Sequence, residues 1–388
     1  MITKKDKLKQ YIKAADFYYQ NYEFTEFLSN KPFSHLPEVI RVFHCLSFLL
    51  PEMYLAEGQK IIDFGAGVCW LSRLLSRLGF STISVDVSFT ALQWGKSLYK
   101  KDGIANPEVN SHYVTYDGFT LPFKDASIDR IFCYDALHHV ENLEDIAYEL
   151  HRILKEGGIA GFFEPGLNHS DTAAAQYEMK KYGILEKDLD IFDIMRISRN
   201  LGFSFFFLPV SPPGSIKFND KQLEEFFIYH ASYPTAVLAE NAKHSLLFFL
   251  IKGKPHYYSN APHILTSRIE VLEPLEMYKV KPNEVIPVKV KITNTGDTTW
   301  LATNKYPKGI VQIGTHLLSS SNQIVNYDYY RMNLPSTVTP GQSFAQELAI
   351  PAPAKEGQYA IVIDLLSENI CWFEYMGSPT CALKIFCS

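Results

Sequence analysis

The sequence predicts two domains of different classes, a doubly wound α/β domain followed by an all-β sandwich. Two observations support this. From Lys60 to Pro165, short apolar runs alternate with amphipathic stretches, which is the order expected of a parallel sheet with helices on both faces. Beyond residue 266 the helical period disappears, and short runs are separated by turn signals such as NTGD and TPGQ. The 388 residues are enough for two domains of ordinary size.

Four segments follow from these changes along the chain. Residues 1–58 are predicted to be helical, and their tyrosine-rich stretch 11–24 either forms a lid over a ligand or packs on the sheet as an amphipathic helix. Residues 59–254 form the α/β domain, 255–266 a linker rich in turn formers, and 267–388 the sandwich.

Strands and helices alternate within the α/β domain. Helices are predicted at WLSRLLSRLG, FTALQWGKSLYKK and ENLEDIAYELHRILKEGG. The last of these has acids near its start, bases near its end and a Gly-Gly stop. The strands are predicted at the apolar runs KIIDFG, STISVDV, SHYVTYD, RIFCYDAL and GIAGFFEP, with FSFFFLPV and SLLFFLIKG completing the sheet.

Composition and charge exclude several classes of protein. The chain is 47% hydrophobic and 20% charged, as folded proteins are, and its net charge of −5 gives no general attraction to nucleic acid. Its six cysteines have no CxxC pair and no zinc-type spacing, so we expect free thiols in a reducing, cytoplasmic compartment and no bound metal. The longest uncharged stretch, 200–216, is interrupted by prolines, so no transmembrane segment is expected.

The most informative segment is the glycine loop at the first strand-to-helix turn, residues 61–70. Gly65 and Gly67 would let the backbone approach a ligand closely at the carboxyl edge of the sheet. A dinucleotide fingerprint needs a third glycine where this chain has Trp70, and Asp63 would repel a pyrophosphate. The same carboxylate would attract a cation, and S-adenosylmethionine carries a sulfonium and an ammonium group. The loop therefore favours S-adenosylmethionine over a dinucleotide.

Two further acids stand at the ends of the next two strands. Asp86 ends the second strand, 23 residues after Asp63, which is close to the spacing of a ribose-binding acid. Asp117, followed by Gly118, ends the third strand, where it would accept a hydrogen bond from an adenine amino group. Each acid alone would equally suit a solvated strand end or a helix cap. Their succession after a glycine loop favours a cofactor site.

Over roughly residues 55–205 the sequence resembles class I S-adenosylmethionine-dependent methyltransferases. The resemblance is carried by DFGAG, VDVS, LPFKDASIDRIFCYDALHHV and HRILKEGG, and it departs at Cys69, where many members have a third glycine. It implies a Rossmann-like fold and S-adenosyl-L-methionine as the cofactor. The residues that it implies in contact with the cofactor, or close to it, are Asp63, Gly65, Gly67, Asp86, Asp117 and Gly118.

Methyl transfer to a hydroxyl needs proximity and, for a weak nucleophile, a general base. His138 and His139 follow the fourth strand, and Glu164 and His169 follow the fifth, so all four are candidate catalytic residues at the functional edge. Neighbouring residues on an extended rim point in opposite directions, so one of the paired histidines faces the cofactor, and we expect His139 to be the base. The alternative is that the histidine pair caps the next helix and that the other two residues belong to a solvated turn.

The second domain carries a resemblance of its own. ITNTGDTTW and EGQYAIVIDLL are similar to immunoglobulin-like modules of bacterial surface-polysaccharide enzymes, and EPGLNHSDTAAAQYEMKKYGILEKDL resembles methyltransferases found with polysaccharide-biosynthesis genes. The aromatic residues of the sandwich either form a platform for sugar rings or belong to its core. They are Trp300, Tyr327, Tyr329, Tyr330, Trp372 and Tyr375, with Arg331 among them.

These resemblances imply an S-adenosylmethionine-dependent O-methyltransferase that modifies a sugar hydroxyl of a surface polysaccharide or its lipid-linked precursor. Its partners would be a carbohydrate or small-molecule acceptor and polysaccharide-assembly proteins, with no nucleic acid. The alternative enzyme methylates a small metabolite and uses the sandwich for dimerisation, as a homo-oligomer, or for partner binding. A third interpretation, a binding module with a vestigial fold, is disfavoured by the intact acids and glycines.

Overall fold

The computed structural model describes residues 4–103, 111–211, 220–229, 233–304 and 307–388. The chain divides into two compact units, Met1–Pro255 and His256–Ser388. None of the helices in the described ranges combines the length and the apolar run that crossing a membrane requires. All six cysteines are free thiols.

The first unit is built on a seven-stranded sheet with the spatial order β3-β2-β1-β4-β5-β7-β6. The five strands from β3 to β5 are parallel, and β7 runs antiparallel to both of its neighbours. This confirms the predicted doubly wound, Rossmann-like sheet. The strands are β1 (Ile61–Phe64), β2 (Thr82–Asp86), β3 (Ser111–Thr115), β4 (Ile128–Tyr134), β5 (Leu154–Pro165), β6 (Phe203–Phe207) and β7 (Ser245–Lys252).

Helices cover both faces of this sheet, as the alternation of side chains along β1 shows. Ile62 and Phe64 belong to one buried cluster, and Ile61 belongs to another. Both faces of β1 are therefore apolar, and each is buried under its own layer of side chains. The helices are α1 (Lys4–Asn21), α2 (Thr25–Asn30), α3 (Leu36–Leu49), α4 (Trp70–Arg77), α5 (Phe89–Lys101), α6 (Leu143–Ile153), α7 (Ala173–Tyr182), α8 (Ile191–Asn200), α9 (Asp220–Tyr229) and α10 (Tyr233–His244).

The order of the strands reverses between β1 and β4, and this determines where a ligand can bind. The first strand of the sheet leads outward to β2 and β3 on one side, whereas β4 and β5 lie on the other. Loops that leave the carboxyl ends of β1 and β4 therefore diverge and open a crevice between them. The glycine loop follows β1, and the paired histidines follow β4.

One boundary differs from the prediction. The helix expected to continue to the Gly-Gly pair ends at Ile153, and Leu154 already pairs with Ile128 of β4. The carbonyls of Arg152 and Ile153 accept hydrogen bonds from the preceding loop, at Ala126 and Ser127. Because these end groups are already satisfied, the chain passes directly from the helix into the strand.

The second unit consists of β-strands in separate sheets, and one buried cluster contains residues of the two largest. A six-stranded sheet follows the path β10-β18-β16-β13-β14 with β17 beside β16, a three-stranded sheet has the order β15-β11-β9, and β8 pairs with β12. The strands are β8 (Tyr257–Tyr258), β9 (Ser267–Val271), β10 (Tyr278–Val280), β11 (Val285–Asn294), β12 (Thr298–Thr299), β13 (Val311–Ser319), β14 (Ile324–Asn333), β15 (Ser343–Pro351), β16 (Gly357–Ser367), β17 (Cys371–Trp372) and β18 (Cys381–Cys387).

The aromatic residues of this unit do not form one platform. Trp300 is fully buried and packs against Phe373, so it belongs to the core. Tyr329 and Tyr330 are partly buried against the same core. Of the others singled out in the sequence, Tyr327 and Trp372 pack against the ring of His316, and Tyr375 stacks beside Tyr327.

The segment 255–266 differs from the expected linker because most of it is part of the second unit. Ser259 is buried, its hydroxyl donates to the carbonyl of Gly309 at 2.6 Å, and it accepts from the amide N–H of Leu301 at 2.9 Å. Leu265 is a fully buried member of the core. Turn-forming residues in the sequence suggested a linker, but the hydrogen bonds of Ser259 hold this segment against the rest of the second unit.

We predict that a fragment 256–388 is more stable than a fragment 267–388. The shorter fragment loses Leu265 from the core and leaves the partners of Ser259 unsatisfied, which should cost about 2–5 kcal/mol of the free energy of unfolding. Urea denaturation of the two fragments measures this difference. Equal stability would show that residues 256–266 act as a linker after all.

Candidate active site

The glycine loop turns back against the end of β2. The amide N–H of Gly65 donates to the carbonyl of Val85 at 2.8 Å, and that of Gly67 donates to Oδ2 of Asp86 at 2.8 Å. Both glycines have a positive φ, +68° and +50°. A β carbon on Gly65 would lie 2.3 Å from the β carbon of Ala136, so glycine is required there. The loop therefore presents main chain at the edge of the sheet.

Asp86 lies at the end of β2, and its carboxylate lines a cavity at this edge. Burial raises the pKa of Asp86 to about 6, although hydrogen bonds from the amides of Ser88 and Gly67 act in the opposite direction. A carboxylate offers about four acceptor sites. Asp86 therefore keeps the capacity to accept hydrogen bonds from ligand hydroxyls.

Asp63 does not lie where the sequence analysis expected it. Its Oδ2 accepts hydrogen bonds from the amide and the hydroxyl of Ser72, at 3.0 and 2.7 Å, and the side chain is not part of the cavity wall. Burial raises the pKa of Asp63 to about 6. The carboxylate joins β1 to the first turn of α4, because Ser72 supplies two donors there. Asp63 thus supports the loop from below and does not face a ligand.

Asp117 stabilises a turn beside the cavity. It is exposed, and its Oδ1 accepts from the amides of Phe119 and Thr120 at 2.9 and 2.8 Å. The neighbouring Gly118 lines the cavity, with a φ of +79°. A β carbon on Gly118 would lie 3.0 Å from the side chain of Ile12 in α1. Asp117 therefore caps a turn, as the alternative interpretation expected, and its hydrogen bond to an adenine stays a prediction.

The cavity itself has a volume of about 520 Å³, which is within the range of small-molecule and cofactor sites, roughly 300–1,000 Å³. Asp16 of α1 accepts hydrogen bonds from the hydroxyl of Ser88 and the amide of Thr90, which anchors this helix across the start of α5. The tyrosine-rich stretch therefore contributes a wall. The cavity residues from α1 are Leu8, Tyr11, Ile12, Ala15, Tyr18 and Tyr19, and Tyr22 follows directly after the helix.

Glu164, at the end of β5, organises the opposite wall. Its side chain is fully buried, and Oε1 accepts from the amides of Ala136 and Leu137, both at 2.9 Å. Oε2 lies 2.8 Å from Nδ1 of His138. These bonds hold the 3₁₀ turn Leu137–His139 that follows β4. Glu164 therefore orients the histidines, while its own carboxylate does not line the cavity.

His138 is held between two carboxylates. Besides Glu164, the Oε2 of Glu186 lies 3.4 Å from its Nε2. Burial alone would lower the pKa of His138, but hydrogen bonds and charge interactions with both acids outweigh burial and raise it well above the ordinary value. His138 is therefore a cation at neutral pH and does not serve as a base.

His139 has the opposite character. Its Nδ1 lies 2.6 Å from the carbonyl oxygen of Leu185, and because a carbonyl only accepts, Nδ1 carries the proton and Nε2 keeps its lone pair. The ring lines the cavity and its side chain is 40% exposed. Desolvation within the cavity wall, followed by the positive charge of His138, lowers the pKa of His139 to about 4. His139 is therefore neutral at pH 7.

Glu186 connects the remaining histidine to this group. Its Oε2 lies 2.8 Å from Nε2 of His169, whose ring packs edge-on against His138. Burial would raise the pKa of Glu186, but His138 and His169 lower it well below the ordinary range. Glu186 is not conspicuous in the sequence, where its only signal is its place in the run GILEKDL after the fifth strand.

A second charged group in the cavity wall was also missed. Asp135 directly follows β4 with a φ of +51°, and its Oδ2 lies 2.7 Å from a guanidinium nitrogen of Arg41 in α3. Burial opposes ionisation, but Arg41 and Lys31 outweigh it and hold the pKa of Asp135 well below the ordinary value. Glu38 shares the guanidinium at 3.0 Å. This ion-pair group joins the N-terminal helices to the end of β4.

A glycine loop after β1, an acid at the end of β2 and a doubly wound seven-stranded sheet are the features of a class I S-adenosylmethionine-dependent methyltransferase. The comparison with protein families agrees, because residues 62–162 match the family model described as a methyltransferase domain. The chain thus contains a methyltransferase domain, and S-adenosylmethionine is its cofactor.

Known methyltransferases are similar in sequence to part of this chain. The sterol 24-C-methyltransferase of Pneumocystis carinii is 25% identical over 180 residues, which are 44% of this chain and 45% of that protein. The mitochondrial ubiquinone biosynthesis O-methyltransferase of Schizosaccharomyces pombe is 30% identical over 123 residues, 32% of this chain and 40% of that protein. The chain therefore spans less than half the length of either relative.

Among solved structures, phosphoethanolamine N-methyltransferase 2 of Haemonchus contortus, in complex with S-adenosyl-L-methionine, is 15% identical. The match covers 62% of this chain and 60% of that one, with a TM-score of 0.42.

The cavity of this chain fits the cofactor on its own geometry. Gly65 and Gly118 present backbone at the wall, because a β carbon at either would meet a neighbouring side chain within 3.0 Å. Asp86 supplies a buried acceptor beside them. The tyrosines of α1 add aromatic surface of the kind that contacts a base or a cationic sulfur centre.

We predict that Gly65→Ala weakens the binding of S-adenosylhomocysteine by about tenfold or more, a loss of about 1.4 kcal/mol per tenfold. The added methyl group would clash with Ala136 and displace the loop. Isothermal titration calorimetry measures the affinity. Gly58→Ala is the matched control, since Gly58 has a similar φ of +80° but nothing within 4 Å of its β-carbon position. Equal affinity of the two variants would contradict the assignment of the loop.

Proposed function

We propose that this chain transfers the methyl group of S-adenosylmethionine to a hydroxyl oxygen, with His139 as the general base. The observation that carries the proposal is that a single cavity is lined both by the cofactor cradle, with Gly65, Asp86 and Gly118, and by the neutral ring of His139. Proximity of the two groups is the main requirement of an in-line displacement.

The binding roles follow from hydrogen-bonding capacity. In this proposal Asp86 accepts from the ribose hydroxyls, and the glycine loop holds the rest of the cofactor with backbone groups. When bound, S-adenosylmethionine supplies an electrophilic methyl group on a sulfonium centre. Asp63 holds the loop through Ser72, and Tyr19 covers it, since its hydroxyl lies within 2.7 Å of the β-carbon position of Gly67.

His139 is suited to accept a proton because its Nε2 has a lone pair. With a pKa of about 4 it is a weak base, but a hydroxyl becomes acidic as its oxygen bonds to carbon, so a weak base is sufficient late in the reaction. The charge that then develops on His139 is offset by Glu186, whose Oε1 lies 3.5 Å from Nδ1. Glu164 and cationic His138 keep the ring in position. His169 holds Glu186 from the far side.

The acceptor that we propose is a sugar hydroxyl of a surface polysaccharide or of its lipid-linked precursor. Support comes from the resemblance of residues 164–189 to methyltransferases found with polysaccharide-biosynthesis genes, and from the proposed immunoglobulin-like character of the second unit. Tyr11, Tyr18 and Tyr22 supply aromatic faces on which a sugar ring can stack. The name of the Schizosaccharomyces pombe relative states methyl transfer to oxygen.

The alternative is a small-metabolite methyltransferase whose second unit serves dimerisation or partner binding. One observation favours it: β14 is an edge strand, and its residues Ile324 and Val325 are more than half exposed. An exposed apolar edge strand is a surface on which another chain can add.

Transfer of a ¹³C-labelled methyl group from S-adenosylmethionine tests the proposed reaction. Acceptors would be methyl glycosides of hexoses and deoxyhexoses, with hydroxylated phenols as a metabolite set, and two-dimensional NMR of the product identifies the atom methylated. We expect an O-methyl signal from a glycoside. A signal from the phenols alone would favour the alternative, and a carbon- or nitrogen-bound methyl group would refute the proposed chemistry.

We predict that His139→Ala lowers kcat by about 10²–10⁴-fold, which is the ordinary contribution of a general base. Binding of S-adenosylhomocysteine should remain nearly unchanged, because the cofactor is held by the loop and Asp86. Steady-state kinetics and calorimetry measure the two effects. His112→Ala is the matched control, since His112 is exposed on β3 and does not line the cavity.

A parallel loss of cofactor binding in His139→Ala would assign His139 a structural role, and an unchanged kcat would exclude it as the base. The pH profile gives an independent check. The base must be neutral and its pKa is about 4, so kcat measured at saturating S-adenosylmethionine should be retained as the pH falls from neutral to about 5, where an ordinary histidine with a pKa near 6.5 would be protonated. Saturation is needed because the pKa of Asp86 is about 6, so its protonation over the same range weakens cofactor binding and lowers kcat/KM.

A further inference from the structure

Three polar side chains of the second unit converge at one point. His316 lies on β13 and Asp364 on the adjacent antiparallel strand β16, while Glu374 belongs to the 3₁₀ turn Phe373–Met376. His316 pairs with Val362, so Asp364, two residues further along, lies on the same face of the sheet. One nitrogen and two carboxylate oxygens from these residues lie within 4.8 Å of one another.

The ring of His316 is oriented by a backbone carbonyl. Its Nδ1 is in close contact with the carbonyl oxygen of Tyr327, which can only accept, so in the neutral ring Nδ1 carries the proton and Nε2 a lone pair. The residue is only 3% exposed. Within the described part of the chain, Nε2 has no hydrogen-bond partner, and it lies 3.6 Å from Oε1 of Glu374.

Asp364 presents an oxygen to the same point. The residue is fully buried, and its Oδ2 accepts from the amide N–H of Glu374 at 3.1 Å. Its Oδ1 is buried without a hydrogen-bond partner among the residues that the structure describes. A buried carboxylate oxygen and a buried imidazole nitrogen that receive no hydrogen bond lower the stability of the fold, unless a positive charge lies close to both.

We infer that His316, Asp364 and Glu374 form a binding site for a divalent transition-metal ion such as Zn²⁺ or Mn²⁺. Imidazole together with carboxylates suits these ions, whereas Ca²⁺ and Mg²⁺ prefer ligands that are all oxygen. In a tetrahedral site with bonds of about 2.0–2.2 Å, the ligand atoms are roughly 3–3.5 Å apart. The 3.6 Å between His316 and Glu374 is already close to this spacing.

The surrounding groups support each ligand. Tyr327 fixes the tautomer of His316 through its carbonyl and donates its hydroxyl to Oε1 of Glu374 at 2.5 Å. The backbone of Glu374 in turn holds Asp364. Ligands of metal ions are commonly oriented in this way by carbonyls and hydroxyls behind them. The three ligands are distant in the sequence, which explains why no zinc-type spacing is visible there.

Three protein ligands leave a coordination position for water or another molecule. The carboxylate of Glu374 is partly accessible, and the neighbouring Tyr375 is 67% exposed, with its hydroxyl 2.7 Å from that of Tyr327. Glu374 and Tyr375 therefore form the accessible part of the site. The ring of Trp372 packs against that of His316, with centroids 4.3 Å apart.

Titration of the full-length protein with Zn²⁺ and with Mn²⁺ after chelation tests the inference, with calorimetry and elemental analysis as readouts. We expect Asp364→Asn and Glu374→Gln to bind one metal equivalent fewer than the wild type, or to bind that equivalent at least about 100-fold more weakly. His263→Asn is the matched control, because His263 is an exposed histidine paired with Asp297 in the same unit.

One further variant and one measurement of stability make the outcome unambiguous. His138, His169 and Glu186 come within the same spacing in the first unit, so the titrations are repeated in a His169→Ala background to remove any equivalent bound there. Asp364→Asn removes a buried charge, so its metal-free form should unfold at no lower temperature than the wild type, and a loss of binding would not reflect unfolding. Equal metal content in the wild type and Asp364→Asn, or no binding by the wild type, would overturn the inference.

Discussion

Glu164 is fully buried at the carboxyl end of β5, and one wall of the cavity of the first unit depends on the hydrogen bonds that its carboxylate accepts. The amides of Ala136 and Leu137 and the ring of His138 all donate to it, so one side chain holds the whole 3₁₀ turn after β4. A buried carboxylate without partners would cost several kcal/mol. These hydrogen bonds therefore hold the turn in one conformation. His139 does not bind Glu164 itself, but it faces the cavity because Glu164 holds the rest of the turn.

Acidic and basic side chains alternate along this wall, and their arrangement gives neighbouring histidines different roles. Cationic His138 lies between the side chains of Glu164 and Glu186, and His169 lies beyond Glu186. Desolvation in the cavity wall, together with the positive charge of His138, then keeps the adjacent His139 neutral. Two neighbouring histidines thus differ in protonation at the same pH because their surroundings differ, which is how an enzyme obtains a base beside a fixed positive charge.

The sheet, the glycine loop and Asp86 were predictable because they follow from local patterns: apolar runs of strand length, glycines at a turn and an acid at a strand end. The roles of Asp63 and Asp117 were harder to predict, because an acid at a strand end serves equally well as a ligand contact, a support or a cap. The positions of their donors, Ser72 for Asp63 and the amides of a turn for Asp117, are not visible in the sequence. Glu186 could not be predicted, since its partners come from two distant loops. The same is true of the linker, whose turn formers conceal the buried Leu265.

The protonation states of the paired histidines test the account most directly. Long-range ¹H–¹⁵N correlation spectra of the histidine rings at pH 7 report the proton on each nitrogen, and His139→Gln identifies the signals. The account predicts that His138 carries a proton on both nitrogens, and that His139 carries one proton, on Nδ1, with Nε2 unprotonated. A charged His139, or a neutral His139 with its proton on Nε2, would contradict it, because no lone pair would then face the methyl acceptor.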